Sequence, residues 1–341
     1  MNANDPRAPR VGKQVQAPVR IGVIGLGAFG RLHALTIAGL ADAELVAVVG
    51  RRKESLTALR GEFPNVPGWL DLAQALKESD AEAWVVASST ATHVSITRCL
   101  LEAGKPVLLE KPISEDLASA ESLLPLVRPD SSNLMMGHIL LFNSEFRELV
   151  RQARQRGAIR HIAAVRHRPM GTLDLYPGED PFHLTMVHDL YCAQVLVNRE
   201  EPESISAQMG RRAGGHNDGI ELALGQLIWP SGIVGSFTAS FLTPEGMASD
   251  GFDRCEIFGD GWAACVKSNP RPLELYDQKA RWPMALEIDA DPVSPTGMMA
   301  EELRCFCRVV RGTEAVPMGA TYQDALQVQR WLERLRAAAD P

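Results

Sequence analysis

Between residues 20 and 139, five short runs are apolar throughout rather than at every second position: 20–25 (RIGVIG), 44–50 (ELVAVVG), 83–89 (AWVVASS), 106–112 (PVLLEKP) and 133–139 (NLMMGHI). A strand with one wet face alternates; a strand buried on both faces does not, and such strands belong to parallel sheets covered by helices on each side. Helical stretches at 31–40, 93–103 and 115–126 separate the runs. This alternation predicts a Rossmann-type α/β domain, a doubly wound parallel sheet.

After about residue 140 the pattern changes. A helix over 145–156, a strand over 159–168 and a helix over 183–198 lead into three β-rich stretches at 203–211, 220–229 and 233–242. Trp229-Pro230-Ser231-Gly232 and Gly259-Asp260-Gly261 carry turn chemistry, and helices over 297–311 and 322–337 close the chain. The second half therefore reads as an α+β domain on an open, mostly antiparallel sheet. The 341 residues divide into a disordered tail (1–18), a dinucleotide-binding domain (19–139) and a substrate and oligomerisation domain (140–341), with the C-terminal helices able to pack back on the first. An open sheet leaves apolar surface, so a homodimer or homotetramer built sheet to sheet is expected, with 233–242 contributing.

Charge and cysteines narrow the partners. A net charge of −7 argues against nucleic acid, which requires a positive surface. The six cysteines form no CxxC pair and sit by no histidine cluster, so no metal is expected and reduced, buried thiols are. No apolar run nears the roughly 20 residues that span a bilayer. The first 18 residues are polar, with three prolines and no apolar core, which is no secretory signal. The cytoplasm is the expected compartment.

Gly25-Leu26-Gly27-Ala28-Phe29-Gly30 is a GxGxxG that follows the first buried run and opens a helix. Gly25 permits the tight turn, Gly27 lets backbone approach a pyrophosphate, and Gly30 lets the helix pack on its strand. The N–H groups of Ala28 and Phe29 would face the anion at the helix start. After the second run, where NAD-binding folds place an acid for the ribose, this chain has Gly50-Arg51-Arg52-Lys53. Arg51 and Arg52 offer planar charged forks for a 2′-phosphate, so NADP(H) is favoured over NAD(H), which the fold also accepts. The alternative is a solvated basic loop.

Ala103-Gly104-Lys105-Pro106-Val107 through Leu109-Glu110-Lys111-Pro112, with Thr90-Ala91-Thr92-His93 and the segment Gly137-His138 to Phe142-Asn143, resembles the glucose–fructose oxidoreductase/inositol dehydrogenase/rhizopine-catabolism family over about residues 20–338. The resemblance implies hydride transfer between a nicotinamide cofactor and a sugar or cyclitol bound between the two domains. It assigns Lys111 and His188 to catalysis, and Ser88, Thr90, His93 and Glu110 to the cofactor. It also places His138 and Asn143 at the substrate. Chemistry supports Lys111 independently: it ends a parallel strand on the crevice side, and a desolvated lysine near a cationic nicotinamide is a fit base.

The chain also departs from the family pattern. The family's D-x-x-x-H puts both side chains on one helix face; here His188 stands at the histidine and Leu184 at the aspartate, with Tyr191 where a later acid is frequent. His188 acts alone or with Tyr191, His183 or Asp180; otherwise it is a buried histidine with no catalytic part. Arg166 and Arg168 share one strand face, where they grip an acidic substrate or meet solvent. His33 reads as a packing residue. Two other functions fit the same fold: glycoside cleavage with a retained cofactor, and a cofactor-binding regulator.

Overall fold

The computed structural model describes residues 17–176, 179–211, 219–244, 247, 252–267, 275–276, 280–281 and 294–340. The expected tail falls almost entirely outside them. The first half runs β1 (Val19–Ile24), α1 (Ala28–Gly39), β2 (Ala43–Val49), α2 (Lys53–Glu62), β3 (Gly68–Trp69), α3 (Leu72–Glu78), β4 (Ala83–Val86), α4 (Thr90–Glu102), β5 (Val107–Glu110), α5 (Leu117–Glu121) and β6 (Leu134–Gly137). All strands are parallel, in the order β3-β2-β1-β4-β5-β6. Every residue of β4, β5 and β6 is buried, which is why these runs show no alternation.

The order reverses between β1 and β4. The crevice beyond the C-terminal ends of strands at such a reversal is where open α/β sheets bind ligands. The strands end earlier than the apolar runs, β4 at Val86 and β5 at Glu110, so Ser88, Thr90 and Lys111 all lie past a strand end, facing that crevice. The Lys111–Pro112 bond is cis.

The second half continues through a 3-10 turn (Ile139–Phe142), α6 (Ser144–Ala153), β7 (Ile159–Pro169), α7 (Thr172–Leu175), a π-helical turn (Phe182–Met186) and α8 (Val187–Leu196). There follow β8 (Ser204–Arg211), β9 (Ile220–Ile228), β10 (Val234–Thr243), β11 (Arg254–Gly259), β12 (Trp262–Val266), a ribbon of β13 (Leu275–Tyr276) and β14 (Ala280–Arg281), α9 (Gly297–Val310) and α10 (Tyr322–Ala339). The large sheet has the order β12-β11-β7-β10-β9-β8; only β7 and β10 pair in parallel. Its inner face, with Ile162, Ala164, Phe237, Ala239 and Phe241, is buried. Among the described residues, its outer face exposes Ile228, Val234 and Phe258.

The last helix belongs to both halves. Val328, Trp331, Leu332 and Leu335 of α10 join the core under the large sheet, while Tyr322, Ala325 and Leu326 join the cluster under the parallel sheet. Tyr322 donates its hydroxyl to the Ala120 carbonyl, and its backbone N–H bonds Ser131 Oγ. Thr321 makes a β-bridge to Met135 on the outer strand β6. Among the described residues, no helix is long and apolar enough to cross a membrane.

Candidate active site

Each glycine of the first turn has a distinct constraint. Gly25 has φ +92°, and a methyl group there would lie 2.4 Å from the Ala87 carbonyl oxygen. At Gly30 a methyl group would sit 1.9 Å from the Gly25 carbonyl oxygen, so helix and strand meet there through bare backbone. A methyl group at Gly27 would meet nothing within 4 Å, so the open side of the turn has room for a ligand. Gly27 caps α1 without a side-chain hydrogen bond, and the first turn has no acidic residue. Exposed Gly27 and Ala28 thus open a helix N-terminus that suits a pyrophosphate. Arg51 and Arg52 are exposed just beyond β2.

On the other side of the reversal stands Lys111. Its backbone N–H donates to Glu110 Oε2 (3.2 Å), and its Nζ donates to the Leu184 carbonyl (3.2 Å). The second bond reaches from the parallel sheet to the π-helical turn, one turn ahead of His188. Burial holds the Lys111 ammonium below the ordinary lysine value; Glu110 and Glu179 oppose that shift, and Arg168 and Arg166 add to it. A cavity of about 10 Å³, room for a single water, lies beside it among His138, His183, Val187 and Gln329.

His188 is oriented by a chain of buried rings. Its Nδ1 lies 2.8 Å from the Tyr191 hydroxyl, which accepts from the Leu140 N–H (3.2 Å). A phenol has one proton to give, and burial pushes the Tyr191 hydroxyl well above its ordinary value, so that proton stays on oxygen. With the Leu140 N–H donated to the oxygen, the hydroxyl proton goes to Nδ1. Burial, then the charges of Lys111, Arg166 and Arg168, hold His188 well below the ordinary histidine value. The ring is therefore neutral with its proton on Nε2. Tyr191 in turn stacks on His138 (4.2 Å, 10°), whose Nδ1 donates to the Gly319 carbonyl (2.6 Å).

Several expectations need correction. Asn143 does not line the crevice: it is buried, and its Oδ1 caps α6 by accepting from Phe146 N. His93 is buried too; its two ring nitrogens lie 2.8 Å from the Pro112 carbonyl and 3.0 Å from the Ser88 carbonyl, so it ties the ends of β4 and β5 together rather than contacting a cofactor. Tyr191 is fully buried, and His138 meets only the single-water cavity beside Lys111, so neither offers an open surface to substrate. Arg166 forks onto Asp189 and reaches Asp253, and Arg168 forks onto the same Asp253, so both arginines are engaged by carboxylates within the protein. Asp180 is held by His183 and Arg336 rather than reaching towards His188.

Four acids that sequence reasoning passed over take part. Asp189 and Asp253 hold the arginines beside the site. Glu179 accepts from Thr90 Oγ1 across the crevice (3.3 Å) and acts on Lys111. Glu302 of α9 lies beside Glu110 and His33. Glu302 and Asp189 left a local signal, a charge within a mostly apolar helix stretch; Glu179 and Asp253 left none.

Two family models match the chain. The family model described as "Oxidoreductase family, NAD-binding Rossmann fold" matches residues 19–138, and that described as "GFO/IDH/MocA C-terminal domain" matches residues 144–263. The chain belongs to the GFO/IDH/MocA oxidoreductase family. Among curated relatives in this family, an inositol 2-dehydrogenase of Rhizobium meliloti (strain 1021) is 27% identical over 318 residues, 88% of this chain and 92% of that one. A UDP-N-acetylglucosamine 3-dehydrogenase of Acidithiobacillus ferrooxidans is 28% identical over 269 residues, 77% of this chain and 78% of that one. Apo scyllo-inositol dehydrogenase from Lactobacillus casei superimposes with a TM-score of 0.81 at 19% identity, covering 96% of this chain and 97% of its own. This GFO/IDH/MocA member is thus an oxidoreductase with a dinucleotide-binding Rossmann domain.

Proposed function

We propose that this chain oxidises a secondary alcohol of a cyclitol, sugar or sugar derivative, with Lys111 taking the hydroxyl proton and His188 donating a hydrogen bond to the reacting oxygen. The observation that carries the reading is the Lys111 Nζ bond to the Leu184 carbonyl, which brings the end of β5 to the turn before His188. Bound along the glycine turn, an oxidised nicotinamide dinucleotide supplies the hydride acceptor. A lysine lowered by burial gives up its own proton more readily than one in water, as a base for an alcohol requires. The neutral His188, with its proton on Nε2, steadies charge that develops on the substrate oxygen. In this site a backbone carbonyl at Leu184 holds the lysine where the family pattern has a carboxylate. Inositol and UDP-N-acetylglucosamine dehydrogenases among the relatives support a polyol or sugar-derivative substrate.

Two finer readings go with it. Arg51 and Arg52, with no acid before Glu54, favour NADP(H) over NAD(H). The open sheet face supports a homodimer or homotetramer: cross-strand register lines up Phe258, His161, Val234 and Ile228 in one outward row, and Phe258, Val234 and Ile228 are 47%, 40% and 38% exposed. The six free cysteines suit a reducing cytoplasm. The working division is a dinucleotide-binding domain over 19–139 and a substrate domain over 140–341.

The test is turnover. Cofactor-depleted protein is incubated with NADP or NAD and with myo-inositol, scyllo-inositol, aldohexoses and UDP-N-acetylglucosamine, following absorbance of the reduced nicotinamide. At least one polyol or sugar derivative should turn over. Lys111→Ala should cost about 10²–10⁴-fold in rate while the cofactor still binds. Silence across the panel with both cofactors, or a fully active Lys111→Ala, removes the proposal.

A further inference from the structure

Helix α9 packs Met298, Met299, Leu303 and Phe306 into the core, and on the same side it carries Glu302, which is 0% exposed. Neither of its carboxyl oxygens has a hydrogen-bond partner. A carboxylate keeps its charge in a protein interior only when paired, so this side chain takes a proton instead. Burial first, and then the charge of Glu110, push it well above the ordinary carboxylate range.

What surrounds Glu302 links it to the lysine. Glu302, Glu110 and His33 each offer an atom within 4.8 Å of the others, brought together from α9, β5 and α1. His33 Nε2 donates to Glu110 Oε1 (2.8 Å), and Glu110 Oε2 accepts the Lys111 backbone N–H. His33 Nδ1 is buried and has no partner either. Gly137 on β6 leaves space for the cluster: a methyl group there would lie 3.0 Å from Glu110 Oε1. Tyr191 from α8 and Cys305 on α9 also interact with Glu302. The 2.8 Å contact between His33 and Glu110 is a hydrogen-bond distance. Two ligands on one tetrahedral metal ion, with bonds of about 2.0 Å, stand about 3.3 Å apart. The cluster therefore fits a shared proton better than an ion.

We propose that Glu302 is a positioning residue for Lys111: held as the neutral acid, it turns its O–H onto Glu110 and fixes the cluster behind the lysine at one negative charge instead of two. The terminal torsion of a glutamate is broad, so this turn needs no strained rotamer. Glu110 favours the protonated lysine, and a donor on Glu110 draws off some of that influence. The base is thereby kept available nearer neutral pH. The inference rests on Lys111 being the base, and its test separates the two.

Infrared difference spectra of the whole protein at neutral pH should show a protonated carboxyl band that disappears in Glu302→Gln. Glu302→Leu removes the donor: the acid limb of the kcat/KM profile should move up by about one pH unit and kcat at neutral pH should fall about tenfold, with cofactor affinity unchanged. Glu302→Gln keeps an N–H donor and should recover most of that loss, which a purely space-filling role would not produce. Absence of the band from wild type overturns the proposal, even where Glu302→Leu does not fold. So does an unmoved profile in Glu302→Leu, or a stoichiometric divalent metal in digested protein. If Lys111→Ala is fully active the lysine reading fails, while the band still decides the state of Glu302.

Discussion

Tyr191→Phe removes a single oxygen and leaves the ring stacked on His138. That oxygen makes two contacts, accepting from Leu140 N at 3.2 Å and meeting His188 Nδ1 at 2.8 Å. Leaving the Leu140 N–H unsatisfied in a fully buried place costs about 1–3 kcal/mol, so urea unfolding followed by circular dichroism should report a loss near 2 kcal/mol. The kinetic effect has another origin. With no donor on Nδ1, the His188 proton is no longer confined to Nε2, and a loss of about 1.4 kcal/mol in the transition state is about tenfold in kcat. KM for the polyol and affinity for the cofactor should hardly move, because Tyr191 has no exposed surface. The strongest check is coupling. If Tyr191 works only through His188, then Tyr191→Phe added to His188→Ala should slow the reaction little further. A double variant whose loss is the product of the two single losses, or a Tyr191→Phe enzyme with wild-type kcat, refutes the reasoning.

Other consequences can be measured separately. NADPH should bind more tightly than NADH by fluorescence titration, and Arg51→Ala and Arg52→Ala should each weaken NADPH about 10–100-fold while sparing NADH, a lost charge-assisted contact being worth about 1.5–3 kcal/mol; equal wild-type affinities exclude the idea. Burial lowers His138 to about 4. Because the unfolded ring takes its proton near 6.5, stability should fall between about pH 6.5 and 4, by about 3 kcal/mol at the lower end. Denaturant titrations at both pH values should find a smaller fall in His138→Gln. Val234→Asp places a charge between His161 and Ile228 on the outer sheet and should shift a wild-type dimer or tetramer towards monomer in light scattering; a wild-type monomer at micromolar concentration ends that line.

The parallel sheet was legible because burial on both faces leaves short apolar runs without alternation, and their length and the helical stretches between them mark them as strands β1, β2, β4, β5 and β6. β3 was not, since two residues carry no period. The helix expected over 183–198 forms in two parts, a π-helical turn and then α8, and nothing in a hydrophobic pattern marks that change. At the candidate site, the glycine turn shows in the sequence because its backbone geometry demands those glycines, whereas Lys111 stands out mainly through resemblance to the family's segment, with its place at a strand end in support. His93 and Asn143 were misread for a shared reason. Both were assigned by resemblance to family motifs, yet each satisfies backbone groups of its own fold. Asp253 and Glu179 were passed over because their partners, Arg166 and Thr90, lie 87 and 89 residues away, and only folding brings those charges together.

The return of α10 to the parallel sheet bears on the order in which the molecule assembles. Ser131 and Gln323 bond across 192 residues, and Thr321 borders β6. When the first half leaves the ribosome, its outer strand is bare and the pockets for Tyr322, Ala325 and Leu326 are empty, a state open to mispairing. Completion of the parallel sheet waits on a segment made 192 residues after Ser131.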